Sequence, residues 1–521
     1  MGQPSEVRQP DPVPQNDPFL EQRRIVEFCS GPGAFSAAQP ERVDTHLSHL
    51  FLTDERVYKM KRAVHYPFVD FSTLEARRAA CEAELACNHA ARALYIRSLP
   101  VTEHEGRLFI DGPGTPVEWL VEMARFAEAD QFDRMAADDR LTMRNIRDLG
   151  RAIAEAHKTA PRVPLPNAAE RVLEIVRQVR DTLSTSLMEP EVLDLVSRWA
   201  EKIQSAHGTI ASHLAARGRH GLVRRCHGDM HLGNICLFEG KPTPFDAIEF
   251  SKEIATIDVI YDLAFPVMDL LAWDRPALAN QLMNRYFEKT ADYHATDLLP
   301  LFISLRAAIR AMTAALAAPN KPASESCRRY LGVALTALEP RPTPRLIAVG
   351  GLSGTGKTTF ARLLAPHLCG PEGAVILRSD VIRKIHIGIE AELSAPQSAY
   401  EPSVTAFVYG RMMKMASKAL RSGRTVILDA AFLSPPERQT CRRLAEQLGI
   451  QLTGFWLEAP HDVLEERIIN RTDDASDATC SVLAKQEEYD CGSIDWINLN
   501  TRDGCMAHVE TALQAVGLSS E

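Results

Sequence analysis

The sequence predicts two domains of different fold class. An α+β domain with a small sheet-bearing lobe and a larger helical lobe comes first, and an α/β domain with a parallel sheet follows. The chain has 521 residues, whereas single hydrophobic cores stop growing at about 250–300 residues. Residues 339–344 carry three alternating prolines, which cannot continue a helix. Long helical patterns precede this segment, and short apolar runs alternating with helical patterns follow it.

These observations divide the chain into four segments. Residues 1–18 contain five prolines among polar residues and lack the apolar run of a signal peptide, so we expect a disordered tail. We place the first domain at residues 19–338, with its small lobe ending near residue 120. Residues 339–344 are expected to form a proline linker, and residues 345–521 the second domain.

Composition and charge argue against several classes of protein. The net charge of −9 gives no support to a general nucleic-acid-binding surface, which usually carries a basic excess. Eleven cysteines occur without a CxxC pair, which argues against a zinc site or a disulfide framework and fits a reducing cytosol. No uninterrupted apolar stretch has spanning length, so we expect no membrane crossing. The sequence therefore predicts a cytoplasmic protein.

The small lobe is predicted from patterns early in the chain. Residues 50–52 and 56–60 are rich in apolar, aromatic and β-branched side chains, as strands are. A helical pattern covers residues 73–90, and long helical patterns dominate after about residue 117. This order predicts a sheet first and a helical lobe second.

The α/β class of the second domain rests on four short apolar runs with helical patterns between them. Such runs are typical of buried parallel strands. One helix start is marked by a capping box at Ser434 and Glu437, with Gly449 as its expected C-terminal cap. The predicted strands cover residues 346–349, 375–377, 425–428 and 452–457.

A phosphate-binding motif follows the first of these strands. Residues 351–358 read GLSGTGKT, which matches GxxxxGK[ST] in full, and a helical pattern follows over residues 360–368. Glycines let backbone N–H groups surround phosphates, and the helix N-terminus adds partial positive charge. We expect Lys357 on the β- and γ-phosphates and the Thr358 hydroxyl on Mg²⁺. The candidate nucleotide-binding residues are Gly351, Ser353, Gly354, Thr355, Gly356, Lys357, Thr358 and Thr359.

Two acids end later strands of this domain, where open α/β sheets place their ligands. Asp380 follows residues 375–379, and Asp429 follows residues 426–428. One is expected to orient Mg²⁺ and the other to accept the proton of an attacking hydroxyl. For both, the alternative is a helix N-cap.

Three arginines are further candidates in this domain. Arg383 lies one helical turn after Asp380, and its guanidinium suits a phosphate or carboxylate, so we expect an anionic acceptor. Arg467 and Arg471 share a helix face before an acidic segment, residues 473–477, which is a candidate lid that brings guanidinium groups onto the transferring phosphoryl group. The alternative is a solvated helix whose arginines pair with the adjacent glutamates at 465 and 466.

A second catalytic pattern lies in the first domain. His227, Asp229 and Asn234 form H-x-D-x-x-x-x-N, the spacing of a kinase catalytic loop. Asp229 would accept the hydroxyl proton and Asn234 would hold Mg²⁺. Asp246 follows after a turn and a short strand pattern, at the distance expected of the second metal-binding acid.

Both halves resemble known families on these residues. Asp229, Asn234 and Asp246 resemble the aminoglycoside phosphotransferase branch of the protein-kinase-like fold. That resemblance implies a strand lysine on the α- and β-phosphates, Lys59 in preference to Lys61, paired with Glu84 in preference to Glu82. It also implies an adenine-side connector at residues 119–123 and a nucleotide loop near residues 45–49, where this chain departs from the family by having no glycine. Asp262 is similar to a scaffold acid of that family.

The second domain resembles small P-loop kinases of the gluconate-kinase, zeta-toxin and polynucleotide-kinase type, over about residues 345–515. In that group a strand-end Asp followed three residues later by Arg supplies the base and an acceptor contact, which Asp380 and Arg383 match. The whole chain resembles bacterial fusions of these two families.

The resemblance implies a bifunctional kinase that uses ATP and Mg²⁺, each half transferring a phosphoryl group to a small-molecule hydroxyl. Neither half visibly lacks a part that the other supplies, so two independent sites are expected. One alternative is a regulatory ATP-binding protein with an N-terminal pseudokinase, favoured by the glycine-free loop. Another is a nucleic-acid end kinase in the second half, which the net charge disfavours.

Overall fold

The computed structural model describes residues 18–66, 69–317, 321–390, 393–470 and 475–518. Within these ranges the chain forms two compact units. One comprises the residues up to Arg134 together with His227–Thr256, and the other comprises Met135–Cys226 together with the residues from Ile257 onwards. Of the predicted tail, residues 1–18, all but Pro18 lie outside the described residues, and Pro18 is the first residue of a helix. The predicted domain boundaries at residues 338 and 345 stay predictions.

A six-stranded antiparallel sheet forms the body of the first unit, with strand order β1-β2-β3-β8-β6-β7. Apolar side chains of helix α1 pack with strand residues on one side of the sheet, including Ile25 and Cys29 against Phe51 and Leu120. In chain order the elements are α1 (Pro18–Ser30), β1 (Glu41–Asp44), β2 (Ser48–Leu52), β3 (Arg56–Lys61), β4 (His65–Tyr66), β5 (Val69–Asp70), α2 (Leu74–Cys87), β6 (Tyr95–His104), β7 (Arg107–Ile110), β8 (Thr115–Ala124) and α3 (Phe132–Ala137).

Long helices dominate the middle of the chain, as the sequence predicts. Strands β10 and β11 belong to the first unit and form an antiparallel hairpin that pairs Ile235 with Pro244. The elements are α4 (Met143–Thr159), α5 (Ala168–Ser186), α6 (Pro190–Arg219), β9 (Val223–Arg225), β10 (Ile235–Phe238), β11 (Lys241–Pro244), β12 (Thr256–Asp258), α7 (Val259–Ala272), α8 (Pro276–Thr290), α9 (Leu299–Leu316) and α10 (Glu325–Thr336).

The last part of the second unit is built on a five-stranded parallel sheet of order β14-β15-β13-β16-β17. Its central strand β13 is fully buried, as expected when helices cover both faces. The elements are β13 (Leu346–Gly351), α11 (Lys357–Leu364), β14 (Val375–Arg378), α12 (Ser379–His386), α13 (Pro402–Arg421), β15 (Val426–Asp429), α14 (Pro435–Leu448), β16 (Leu452–Glu458), α15 (His461–Ile469), α16 (Cys480–Glu487), β17 (Ile497–Asn500) and α17 (Val509–Ala515).

The predicted strands and the marked helix of this part are confirmed. All four apolar runs are parallel strands, and α14 begins after Ser434 and ends at Gly449 in the left-handed conformation with φ 63°. The fifth strand, β17, was not predicted, because its exposed Ile497 and two asparagines give it no buried apolar run.

One predicted element of the first unit is wrong. Residues 119–123, expected to form a connector, lie inside the ten-residue strand β8. β8 pairs with β3 on one side and β6 on the other, because its side chains fill the sheet core. The chain leaves the sheet only after Ala124.

Among the described residues one helix, α9, is long and apolar enough to cross a membrane, with mean hydropathy 1.4. It is 61% buried within the protein and carries Arg306 and Arg310. Core helices of globular proteins share these properties.

Candidate active sites

Two lysines of β3 share one buried glutamate of α2. Lys59 Nζ lies 2.7 Å from Glu84 Oε1, and Lys61 Nζ lies 2.6 Å from Glu84 Oε2. Lys59 Nζ also lies 2.5 Å from Asp246 Oδ1, and Lys61 pairs with Glu249. Burial alone would lower the pKa of Lys59, but the two carboxylates raise it above its ordinary value. Lys59 is therefore held as a cation beside Asp246.

The alternative glutamate, Glu82, does not face these lysines. It lies on the exposed side of α2 and pairs with Arg78 at 2.9 Å. Helix α2, which carries both glutamates, begins after its N-cap residue Thr73. The Thr73 side chain accepts a hydrogen bond from Ala76 N–H. Of the two glutamates the sequence left open, only Glu84 contacts the strand lysines.

The glycine-free loop lies at the turn between β1 and β2. Thr45 N–H donates to Ser48 O at 2.8 Å, and the Thr45 hydroxyl accepts from Ser48 N–H at 3.0 Å. His49 and Asp44 lie across the hairpin with Nδ1 and Oδ1 2.7 Å apart. Side-chain and cross-strand contacts thus hold this turn, which contains no glycine.

The loop with the catalytic-type spacing precedes the β10–β11 hairpin. Asn234 Nδ2 donates to Asp229 O at 2.9 Å and to Asp229 Oδ2 at 3.2 Å. Phe245 N–H donates to Asn234 O at 2.9 Å, which ties the two ends of the hairpin together. The Asp229 side chain is 44% exposed. Its carboxylate is therefore fixed by its loop and open to a reactant.

Asp246 adopts an uncommon backbone conformation with φ 61°. Its N–H donates to the Tyr95 hydroxyl at 3.0 Å, and its carboxylate contacts Lys59. Burial would raise the pKa of Asp246, but Lys59 lowers it to about 2. Asp246 thus presents an ionised carboxylate, the kind of oxygen ligand that Mg²⁺ prefers.

Asp262 lies in the second unit and is fully buried. Its Oδ2 is 3.1 Å from His157 Nε2, whose other ring nitrogen lies 2.9 Å from the Tyr286 hydroxyl. Arg306 is a further neighbour at 4.0 Å. These contacts link helices of the second unit. The bracing of the catalytic loop that the resemblance implies for Asp262 stays a prediction.

The phosphate-binding motif forms a tight loop between β13 and α11. A Cβ on Gly351 would lie 2.3 Å from Leu457 O, so no other residue fits there without a shift. Lys357 Nζ donates to Gly351 O at 2.9 Å and to Leu352 O at 2.7 Å. Ser353 N–H donates to Gln486 Oε1 at 2.8 Å. The lysine therefore contacts the carbonyls of its own loop.

Thr358 and Asp429 meet at the carboxyl end of the sheet. The Thr358 hydroxyl donates to Asp429 Oδ2 at 2.6 Å. Arg378, at the end of β14, donates to Asp429 Oδ2 at 3.3 Å through Nε and to the Thr358 hydroxyl at 3.2 Å through Nη2. Asp429 caps no helix here, because α14 begins at Pro435 after Ser434.

Asp380 lies in the first turn of α12, whose N-cap residue is Arg378, so the N-cap alternative does not apply. Burial raises the pKa of the Asp380 carboxyl, although Arg378 opposes the shift. Arg383 is buried; its guanidinium donates to Ala399 O at 2.7 Å and lies over the Tyr400 ring. Its Nε has no hydrogen-bond partner.

The arginines near the candidate lid have unequal outcomes. Arg467 donates to Thr501 O at 2.6 Å and to Gly354 O at 3.4 Å, rather than pairing with the glutamates at 465 and 466. Arg471 lies outside the described residues. Asp477, at the end of the candidate lid, binds Lys384 Nζ and the Tyr400 hydroxyl, each at 2.8 Å.

A cavity of about 1130 Å³ connects these groups. Its volume exceeds that of typical small-ligand pockets, which span about 300–1,000 Å³. It has room for a nucleotide and a second small molecule. Its lining includes Lys357, Thr358, Asp380, Arg383, Asp429 and Arg467.

Comparison with protein families matches both halves. Residues 79–299 match the phosphotransferase enzyme family, and residues 346–489 match an AAA domain. The chain is a fusion of two kinase-type domains. The predicted fold class is confirmed, with a kinase-like N-terminal fold and a P-loop domain on a parallel sheet. Below, the predicted first domain, residues 19–338, is called the phosphotransferase domain, and the predicted second domain, residues 345–521, is called the P-loop domain.

Other proteins are similar to this chain over most or part of its length. The uncharacterized protein Rv2004c of Mycobacterium tuberculosis is 28% identical over 465 residues, which cover 86% of this chain and 90% of that protein. The adenylyl-sulfate kinase of Myxococcus xanthus is 34% identical over 119 residues, covering 22% of this chain and 59% of that enzyme. A solved choline/ethanolamine kinase family protein of Mesorhizobium loti, 15% identical, covers 61% of this chain and 95% of its own, with TM-score 0.39.

Sequence reasoning missed two parts of the P-loop site. Arg378 was not assigned, although a charged residue at the end of an apolar strand was a usable signal. The turn after β17 was also missed: the Thr501 hydroxyl donates to Thr355 O at 2.8 Å, and Cys505 Sγ lies 3.5 Å from Gly356 O. No sequence pattern marks this turn, because its contacts join residues about 150 positions apart.

Proposed function

We propose that the chain is a bifunctional ATP-dependent phosphotransferase, each domain transferring the γ-phosphoryl group of ATP to a hydroxyl of a small metabolite. The observation that carries the proposal is the presence of two separate sets of phosphate-binding and metal-binding side chains. Lys59 and Asp246 lie together in the first unit, and Lys357, Thr358 and Asp429 lie together in the second. We place the enzyme in the cytoplasm, which agrees with the lack of disulfides among its eleven cysteines.

In the phosphotransferase domain, Lys59 would bind the ATP phosphates. Asn234 and Asp246 offer the oxygen ligands that suit Mg²⁺, which supplies charge neutralisation when bound. Asp229 would accept the proton of the acceptor hydroxyl, since its carboxylate is held by Asn234 and open to solvent. Glu84 fixes Lys59 in position.

In the P-loop domain, Lys357 and the loop N–H groups would bind the phosphates, and the Thr358 hydroxyl with Asp429 would hold Mg²⁺. Asp380 would accept the acceptor proton, and its raised pKa suits a base because proton transfer is most efficient near the working pH. Arg467, next to the P-loop carbonyls, is a candidate for stabilising charge on the phosphoryl group.

We propose an anionic acceptor for the P-loop domain. Arg383 lines the cavity, and its Nε lacks a hydrogen-bond partner. A phosphate or carboxylate would satisfy this buried donor. Arg383→Ala should therefore raise the acceptor KM much more than the KM for ATP, whereas an uncharged acceptor insensitive to this change would contradict the proposal.

The experiment is a screen of ATP consumption by the full chain against a panel of hydroxyl metabolites, including sugars, amino alcohols and phosphorylated or carboxylated alcohols. Asp229→Ala and Lys357→Ala variants assign each active compound to a domain. We expect two classes of acceptor, each lost in one variant only. Activity that survives both variants, or none with any compound, would contradict the proposal.

A regulatory pseudokinase is the second candidate for the phosphotransferase domain, favoured by the glycine-free turn at Thr45. It predicts that the domain binds no Mg²⁺-ATP, or binds it without turnover. Calorimetry of nucleotide binding and an assay of ATP consumption, both on the Lys357→Ala protein, separate the two functions, because only an active kinase both binds ATP and consumes it with an acceptor.

A further inference from the structure

Helix α8 of the helical region covers the edge strand of the P-loop sheet. β14 has β15 on one side only, so its other side presents unpaired backbone groups. Asn284 Oδ1 accepts from Ile376 N–H at 2.8 Å, and Asn284 Nδ2 donates to Ala374 O at 3.1 Å. Asn280 Nδ2 donates to Glu372 O at 2.8 Å and to Ala374 O at 3.0 Å. Two side-chain amides thus take the place of a neighbouring strand.

The backbone is shaped for this contact. Gly373 has φ +73°, and a Cβ there would lie 2.5 Å from Asn280 Nδ2. Glu372 is fully buried and pairs with Arg424. It also pairs, at 2.6 Å, with Arg341 of the proline segment, residues 339–344. The proline segment is therefore bound to the P-loop domain beside the same contact.

One turn further along α8, Glu288 reaches the P-loop site through an arginine. Its Oε1 lies 3.6 Å from Arg378 Nη1, and its Oε2 accepts from Arg285 at 3.1 Å. Glu288 is 4% exposed and Arg378 is 3% exposed. Arg378 also contacts Asp429 and the Thr358 hydroxyl, so one guanidinium joins α8 to the proposed metal ligands.

We propose that Glu288, from outside the P-loop domain, is a positioning residue of the P-loop kinase site, acting through Arg378 on Asp429. The inference rests on the proposed function of that domain. A buried guanidinium needs an anion. Glu288 shares the charge of Arg378 and leaves Asp429 available to Mg²⁺. Without the Glu288 charge, Arg378 draws Asp429 into a full ion pair and competes with the metal.

Several arginines share the negative charge of Glu288. Burial would raise the pKa of Glu288, but the guanidinium groups of Arg378, Arg362 and Arg285 hold it below its ordinary value. Glu288 is therefore ionised at neutral pH and serves several arginines at once.

The test uses the full chain with Asp246→Ala, which is expected to weaken the other nucleotide site. The affinity of a non-hydrolysable ATP analogue is measured by calorimetry with and without Mg²⁺. In Glu288→Gln we expect the Mg²⁺-dependent gain in affinity to fall about fivefold or more, with the Mg²⁺-free affinity unchanged. An unchanged gain, or an equal loss with and without Mg²⁺, overturns the inference.

Two controls identify the route of the effect. Lys289→Ala removes the ion pair between the neighbouring residue of α8 and the exposed Glu390, and it should leave the Mg²⁺ dependence unchanged. In an Arg378→Gln background, Glu288→Gln should add no further loss, because its effect passes through that guanidinium. Additive losses would mean that Glu288 acts independently of Arg378, which overturns the inference.

A variant that retains the charge keeps the test decisive if Glu288→Gln unfolds. Glu288→Asp shortens the side chain by one methylene and should give an intermediate loss of the Mg²⁺-dependent gain at an unchanged unfolding temperature. If the parent protein binds no nucleotide at the P-loop, the proposed function fails. If it binds Mg²⁺-nucleotide normally and no Glu288 variant alters the metal dependence, only the present inference fails.

Discussion

The two lysines proposed to bind phosphate are held in different ways. Lys59 contacts Glu84 and Asp246, which lie 25 and 187 positions away along the chain. Lys357 donates to backbone carbonyls only 6 and 5 positions away. The first lysine thus depends on tertiary structure, whereas the second is placed by its own loop. A change in a distant residue should affect the first lysine more strongly than the second.

The largest effect is expected for Glu84→Gln. Glu84 is fully buried between Lys59 and Lys61, so loss of its charge leaves buried cations short of an anion. We expect the free energy of unfolding in urea to fall by about 3–5 kcal/mol. The matched control is Glu82→Gln on the same helix, an exposed pair whose loss should cost at most about 1 kcal/mol. Equal losses in the two variants would contradict the comparison.

Asp229→Ala tests the chemistry of the first site rather than its stability. Loss of a general base should lower acceptor turnover about a hundredfold or more in a Lys357→Ala background, while binding of the ATP analogue survives. The control is Asp54→Ala, an exposed acid of the same unit, which should change neither quantity. Full turnover in Asp229→Ala would remove Asp229 from the mechanism.

Asn284→Ala tests how much the P-loop sheet depends on α8. The substitution leaves the buried Ile376 N–H of β14 and the buried Ala374 C=O just before that strand without one partner each. We expect a loss of about 1–3 kcal/mol in the free energy of unfolding of the full chain. Asn167→Ala, at a helix start where the side chain makes no capping hydrogen bond, should cost less than about 0.5 kcal/mol. Equal losses of unfolding free energy in the two variants would mean that the contact of Asn284 with the edge strand β14 does not stabilise the sheet.

The smallest expected effect is a pH shift in the P-loop reaction. Burial raises the pKa of Asp380. As the pH decreases, turnover should therefore begin to fall at a higher pH than it would with an ordinary carboxyl group, whose pKa is about 3.9. A raised pKa in the folded state also means that the ionised carboxyl costs stability above it. Asp380→Asn should therefore raise the unfolding free energy at neutral pH. An acid limb near pH 4 would exclude Asp380 as the base.

The contrast between local contacts and contacts of distant residues also explains which features the sequence predicted correctly. The P-loop, the capped helix α14 and the strands of the parallel sheet were predicted correctly, because each is coded by neighbouring residues. The choice between Glu82 and Glu84 stayed open, because it depends on how α2 packs against β3. Residues 119–123 of β8 were predicted to form a connector, because an apolar run in the sequence does not show whether a strand has neighbours on both sides.

Contacts between distant segments were beyond the sequence. Arg378 and the turn at Thr501 join the P-loop site from elsewhere in the fold, and Glu288 comes from a helix about 90 positions earlier. Each of these residues is an ordinary surface-type residue in the linear sequence. Their burial and pairing emerge only when the helices and the sheet pack together.

The most direct test of the account is the number of nucleotide sites per chain. Calorimetric titration of the full chain with Mg²⁺ and a non-hydrolysable ATP analogue should give two sites. Lys357→Ala should abolish one of them, and Asp246→Ala should weaken the other. A stoichiometry of one that disappears in Lys357→Ala would contradict the account, because the phosphotransferase domain would then bind no nucleotide.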